Sequence, residues 1–179
     1  MAELIYHIAT TIDNFIADSQ GNCPPSLFPM EGDHIPAFLE QIKEYQIVLM
    51  GGNTYRYGFQ FGLKPGEPGY KGIPHIVFSN TLNFESNDEV KLVKENPVNY
   101  VKKLKDEVKG KIWLCGGGEL AGELLEHELI DTLKLKVNPT LAGAGIRLFG
   151  KSQKTVVAEL AEYVTYKSGV IVPTYHIKY

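Results

Sequence analysis

Residues 113–126 read WLCGGGELAGELLE: an apolar run, three consecutive glycines, then leucines at helical spacing. A tight turn between a strand and a helix needs one glycine or two. Three in a row leave a backbone without Cβ atoms where a helix starts, and the first amides of a helix have no partner inside it. A pyrophosphate can approach such a loop closely. Close packing of strand against helix is the competing explanation, and the triplet alone does not choose between them. It matches neither the GxxxxGK[ST] spacing of triphosphate-binding loops nor GxGxxG.

Working outward, the same arrangement recurs. Ile47–Met50, IVLM, is an apolar run without alternation, as in a parallel strand covered on both faces, and it runs into GGNTY, where Asn53 or Thr54 would cap a short helix. Leu4–Ala9, LIYHIA, reads as a strand leading to Thr10, Thr11, Ile12 and Asp13. Ile73–Ser79, IPHIVFS, reads as another, leading to Asn80. Helices are predicted over Ile35–Tyr45, with Phe38, Leu39 and Ile42 on one stripe, and from Pro97 to Gly110 on Val98, Val101, Leu104 and Val108. A third follows the glycines, with Leu120, Leu124 and Leu125 buried and an end near His127.

The pattern then changes. DTLKLKVNP alternates Leu133, Leu135 and Val137 with polar residues, as an antiparallel or edge strand does, and Thr155–Ser168 with Gly169–Tyr179 reads as a closing hairpin. The fold class is α/β: a three-layer, mostly parallel mixed sheet flanked by helices, with a C-terminal antiparallel hairpin. One domain over residues 1–179 is expected, since the length suits one core and no linker interrupts it.

Eighteen basic residues against 21 acidic ones leave a charge of −3, which gives no general attraction to nucleic acid or an anionic membrane. The lysine-rich stretch 102–109 is interrupted by Asp106 and Glu107 and reads as a solvated face. No apolar run is long enough to span a membrane, and MAELIYHIA lacks signal-peptide features, so a cytoplasmic location is expected. Cys23 and Cys115 form no CxxC pair. His7, His34, His75, His127 and His176 are scattered without HExxH, so no metal site is expected. A GxSxG hydrolase elbow is absent.

Ligands of open α/β sheets gather outside the carboxyl ends of parallel strands. Four segments leave such ends here: Thr10–Asp13, Gly51–Thr54, Ser79–Asn80 and Gly116–Glu119. Arg56 lies one turn into its helix, where it reaches a phosphate or solvent. Asp13 is either an acceptor for a heterocycle or sugar hydroxyl, or an Asx-turn residue holding its loop. Glu31 and Asp33 are alternative proton donors. His75, inside an apolar strand, reads as a packed residue.

The ordered set TTIDNFIA, VLMGGNTY, HIVFSN and WLCGGGELAGELLEHELIDTLKLKVNPTLAGAGIRLF resembles the dihydrofolate reductase-like superfamily, nearly over the full length. Within it, the chain is most similar to the C-terminal reductase domain of bacterial riboflavin biosynthesis proteins and its small stand-alone relatives. The resemblance implies an NADP(H) cofactor. Its pyrophosphate would lie on Gly116, Gly117, Gly118, Glu119 and Leu120, with Gly51, Gly52, Asn53 and Thr54 along its length. Ser79 and Asn80 would approach the adenosine ribose phosphate, and Ala9, Thr10 and Ile16 the nicotinamide. Asp13 matches the aspartate near the substrate and is the catalytic candidate, and residues 11–25 form the lid.

A homodimer and a small-molecule substrate, heterocyclic or carbonyl-like, are also implied. A pyrimidine or pterin would fit, as in 5-amino-6-(5-phosphoribosylamino)uracil reductase; the alternative is an NADP(H)-binding protein that kept the fold without turnover. Two departures stand out. Asn14 replaces the glycine after the aspartate, and asparagine tolerates left-handed backbone. Only Arg56 and Arg147 are arginines, few for a phosphoribosyl substrate, while Glu40 and Glu44 face away from the apolar stripe of their helix, where a folate enzyme needs its acid.

Overall fold

Side chains alternate across a strand, so a strand buried on both faces must be apolar at every position. Leu4 and Tyr6 join Leu49, Ile112 and Leu114 in one core, while Ile5 joins Val48, Met50, Trp113 and Cys115 in a second. The computed structural model, which describes residues 1–179, places these two cores on opposite sides of a single sheet.

The strands in chain order are β1 (Glu3–Thr10), β2 (Phe15–Ala17), β3 (Tyr45–Gly51), β4 (His75–Phe78) and β5 (Val90–Val93), then β6 (Lys111–Gly116), β7 (Thr132–Val137), β8 (Ile146–Arg147), β9 (Val157–Thr165) and β10 (Ile171–Lys178). Eight of them form one sheet in the order β5-β4-β3-β6-β1-β7-β10-β9; β2 and β8 pair separately. All neighbours from β5 to β7 are parallel, and β10 is antiparallel to both β7 and β9. Helices α3 (Pro97–Glu107) and α4 (Gly118–Glu126) cover the first core, and α1 (His34–Gln41) and α2 (Gly52–Tyr57) the second. No helix is long and apolar enough to cross a membrane.

Several elements differ from the sequence reading. β5 was not anticipated; its four residues are too few to show a period. α1 ends at Gln41 and tightens into a 3-10 turn over Ile42–Glu44, so Tyr45 already belongs to β3 and Leu39 turns outward, half exposed. The N-cap of α2 is Gly51, with Asn53 and Thr54 inside the first turn rather than capping it. β7 is an interior strand, parallel to β1 on one side. Its polar alternation reflects a face that is covered only in part: Lys134 and Lys136 are both half-buried, and Lys136 lies over the Phe38 ring of α1. β9 is the outer edge, with all nine residues exposed.

α4 explains part of the glycine triplet. A Cβ on Gly118 would collide with the Arg147 carbonyl oxygen and stand 3.0 Å from the Gly150 amide nitrogen. One on Gly122 would collide with the Phe149 carbonyl and stand 3.2 Å from Ser152 Cβ. The 147–152 backbone therefore lies directly on this face of α4, where Tyr6 from β1 donates its hydroxyl to the Leu148 carbonyl at 2.8 Å. Gly122→Ala is expected to destabilise the protein by about 1–3 kcal/mol through overpacking, read as a lower urea midpoint at unchanged m-value.

Candidate functional site

The parallel strands β1, β3, β4 and β6 end on one edge of the sheet, and glycine lets those ends touch. A Cβ built on Gly51 would stand 3.7 Å from the Gly117 amide nitrogen and 3.9 Å from Leu120 Cβ. On Gly52 it would stand 2.6 Å from Ser79 Oγ, tighter than any side chain permits. On Gly117 it would meet Thr54 Oγ1 at 3.1 Å and nothing else within 4 Å. Gly116, at φ 128°, lies in a backbone region that favours glycine, beside Ile8 of β1. The Gly116–Gly117 peptide is cis. Residues 51–54, 79 and 116–120 thus form one continuous rim.

The rim presents backbone polar groups. Gly117 is the N-cap of α4 and supplies no side-chain cap, and the Ala121 amide makes the helix's first bond, to the Gly117 carbonyl at 3.0 Å. The amides of Gly118, Glu119 and Leu120 lie in the first turn, which has no intrahelical acceptor. The Glu119 carboxylate lies against Gly150, so its charge is directed at the 147–150 segment. Gly118 has the second, structural role described above: its missing Cβ is filled by the protein's own backbone.

At the β4 end, Ser79 Oγ accepts from the amides of Thr81 at 3.2 Å and Leu82 at 3.0 Å, which makes it a turn former. Asn80 beside it is exposed. Arg56 spans the gap between α2 and this turn, donating to Asn53 Oδ1 at 3.1 Å and Thr81 Oγ1 at 3.0 Å. That places a guanidinium beside Ser79, a neighbourhood that 22 intervening residues hide in the sequence.

At the β1 end, Thr10 is fully buried and its hydroxyl oxygen has no partner. Its carbonyl accepts from both the amide and the side chain of Asn138. Ile16, on β2, is buried in the main core, and Ala9 sits in register with Lys136. Asp13 is held by three donors: Thr11 Oγ1 at 2.6 Å, the Ala142 amide at 3.1 Å and the Gly143 amide at 2.8 Å. These bonds, led by that of Thr11, pull its pKa down to about 2, so it is a carboxylate at neutral pH and an acceptor. Asn14 takes the left-handed φ of 64° that glycine would supply. The 11–25 loop is tied down further along by Cys23, whose amide donates to the Tyr57 hydroxyl at 3.0 Å.

Other acids lie elsewhere. Asp33 accepts from the amides of Lys167 and Ser168, joining the start of α1 to the hairpin turn. Glu40 pairs with Lys43 and Glu44 with Lys111, both on the outside, and Glu31 is exposed. His75 is buried with both ring nitrogens bonded to its own loop, as Ile73 and Tyr70 supply the partners. An open cleft of about 540 Å³ lies between α1 and the 69–73 loop, lined by Leu39, Ile42, Tyr45 and Tyr70 with Lys43 and Lys71; it contains no residue of the rim.

The profile of the RibD C-terminal domain family matches residues 2–172. The chain belongs to this family. Among its relatives are two Bacillus subtilis (strain 168) proteins. YwjB is 27% identical over 145 residues, 81% of each chain; YyaP is 25% identical over 181 residues, 97% of this chain and 94% of its own. A crystal structure of a Shewanella sp. PV-4 protein assigned to riboflavin biosynthesis superposes over the whole of both chains with a TM-score of 0.76 at 25% identity. Dihydrofolate reductase from Enterococcus faecalis, solved with NADP(H), shares the fold at a TM-score of 0.66 and 16% identity, over 99% of this chain and 97% of that one. The chain therefore shares its architecture with dihydrofolate reductase.

A carboxylate whose folded pKa lies below its unfolded value stabilises the fold above the unfolded pKa, and that contribution is lost as pH falls through the folded one. For Asp13 the window runs from the ordinary 3.8 down to about 2. The melting-temperature difference between wild type and Asp13→Asn is expected to stay constant above about pH 5 and to shrink across that window, as followed by circular dichroism.

Proposed function

We propose that the protein is an NADPH-dependent reductase that delivers hydride to a small heterocyclic or carbonyl-like substrate of the pyrimidine or pterin kind. The observation that carries this reading is the continuous glycine-lined rim, where residues of β3, β4 and β6 meet with Cβ-free backbone and the first-turn amides of α4. The cradle fits a pyrophosphate: at Gly117 the position of a side chain is open except toward Thr54. Gly116, Gly117, Glu119 and Leu120 would hold the phosphates through their backbone, with Gly118 contributing its amide. Gly51, Gly52, Asn53 and Thr54 would lie along the dinucleotide.

Ser79 and Asn80 would border the adenosine ribose, and Arg56 beside them would pair with a 2′-phosphate. Ala9, Thr10 and Ile16 would border the nicotinamide. The cofactor supplies the hydride when bound; the protein's part is to align it and exclude water. Asp13, ionised and held by three donors, would stand near the substrate as the catalytic candidate while clamping the 140–143 segment to the lip of β1; the proton would come from it or from water.

Trp113 is the only tryptophan and lies three residues before Gly116 on β6. Titration with NADPH is expected to quench its emission saturably, with energy transfer to the nicotinamide. Gly117→Ala, which puts a methyl in the cradle, is expected to weaken NADPH and NADH alike by about tenfold or more. Arg56→Ala is expected to weaken NADPH by about tenfold and leave NADH unchanged. No saturable binding of either nucleotide would end the proposal.

The second reading, a dinucleotide-binding protein without turnover, draws on the engagement of both Asp13 oxygens. NADPH oxidation at 340 nm against pyrimidine and pterin acceptors separates the two. The homodimer implied by the resemblance would find an unpaired edge in β9, and sedimentation velocity at two concentrations tests it.

A further inference from the structure

Lys136 stands out among the lysines. It sits on β7 in register with Ala9 of β1, so both side chains leave the sheet on the same face, toward α1. Its ammonium lies 5.4 Å from the centre of the Phe38 ring on α1. It joins none of the five ion pairs of the protein. By contrast Lys105 and Lys154, whose side chains are 9% and 22% exposed, each hold a carboxylate.

The groups facing Lys136 make the deficit larger. His7 on β1 is buried, hydrogen-bonded to the Tyr45 hydroxyl, and held neutral with a pKa near 3, chiefly by burial and then by Lys134 and Lys136. His34, at the start of α1, is buried against Ser168 and Tyr166, and its pKa is lowered by burial and then by Lys136, against smaller opposing effects of the Pro29 carbonyl and Asp33. Asp33 already accepts from two backbone amides of the hairpin turn. Burial alone lowers the Lys136 pKa, with no carboxylate offsetting it. A partly desolvated cation without a counter-charge costs stability. Such a group persists when a ligand supplies the missing charge.

We propose that Lys136 is the substrate's anion-recognition residue, and that the substrate is a small planar ring bearing an anionic oxygen, seated between Ala9 and Phe38. This rests on the reductase reading, in which Ala9 borders the nicotinamide. Phe38 supplies a flat apolar wall for the ring, and the ammonium supplies the charge. The anionic oxygen is either a carboxylate or an ionised ring oxygen.

The test is calorimetric titration of the full-length protein, with and without NADPH, using orotate for a carboxylate, barbiturate for an ionised ring oxygen, and uracil as the neutral ring. Wild type is expected to bind at least one anion about tenfold more tightly than uracil. Lys136→Met is expected to bring that anion to the level of uracil, leave NADPH affinity unchanged, and melt no lower than wild type. Lys136→Arg is expected to keep the preference. Three results each overturn the proposal: neither anion outbinds uracil in wild type, the preference survives in Lys136→Met, or Lys136→Met melts lower, which marks a structural lysine. Failure of the cofactor reading shows separately, as absence of NADPH binding, while the anion preference is still read in the cofactor-free protein.

Discussion

Everything at the carboxyl edge of the sheet depends on backbone approaching closer than a Cβ allows. Gly52 against Ser79, and Gly118 with Gly122 against the 147–152 segment, are three such contacts. Parallel strands set about 4.8 Å apart bring their ends near one another, but ordinary side chains there would fill the space between the loops. Removing them leaves a shelf of peptide groups, and peptide groups are what a dinucleotide's phosphates recognise. The glycines at 116–118 divide this work. Gly116 takes the left-handed φ, Gly117 leaves the shelf open, and Gly118 lets α4 sit on the chain's own backbone.

The second constraint is how the non-repetitive loops are held. The first loop leaves β1 and is tied to the 140–148 segment by Asp13, which takes the amides of Ala142 and Gly143, by the Ile12 amide on the Thr140 carbonyl, and by the β2–β8 pairing. Asp33 does the same work at the other end of that loop, against Lys167 and Ser168. Two carboxylates thus tie the region before α1 to the C-terminal third of the chain. Both are acceptors, while burial holds His7 neutral and lowers the pKa of His34, which leaves Lys136 as the cation over the Phe38 ring.

Much of the fold was legible because its period was clean. The IVLM and WLC runs are apolar at consecutive positions since β3 and β6 are covered on both faces, and the Pro97 helix begins where Asn96 caps it by accepting from the Asn99 amide. β5 was not legible: four residues carry no period, and it exists because β4 offers it an edge. β7 was half legible. Leu133 and Leu135 marked its buried face, but LKLKV reads the same whether the lysines meet solvent or the half-covered face beneath Phe38.

The sequence by itself determined the layered α/β class, the order of its units and the glycine-bearing strand ends, because hydrophobic period and backbone freedom are local properties of consecutive residues. Only the tertiary structure decided which groups stand together: Arg56 with Thr81, Asp13 with the 142–143 amides, Gly118 with the Arg147 carbonyl, Lys136 with Phe38 and Ala9. Those pairs are separated by 25 to more than 120 residues in several cases, and nothing in a local pattern encodes the partner of a charge. The physical reason is that charge and hydrogen-bond satisfaction are properties of position in the folded chain. A lysine looks the same in the sequence whether its counter-ion is a neighbouring carboxylate, solvent, or a ligand still to arrive.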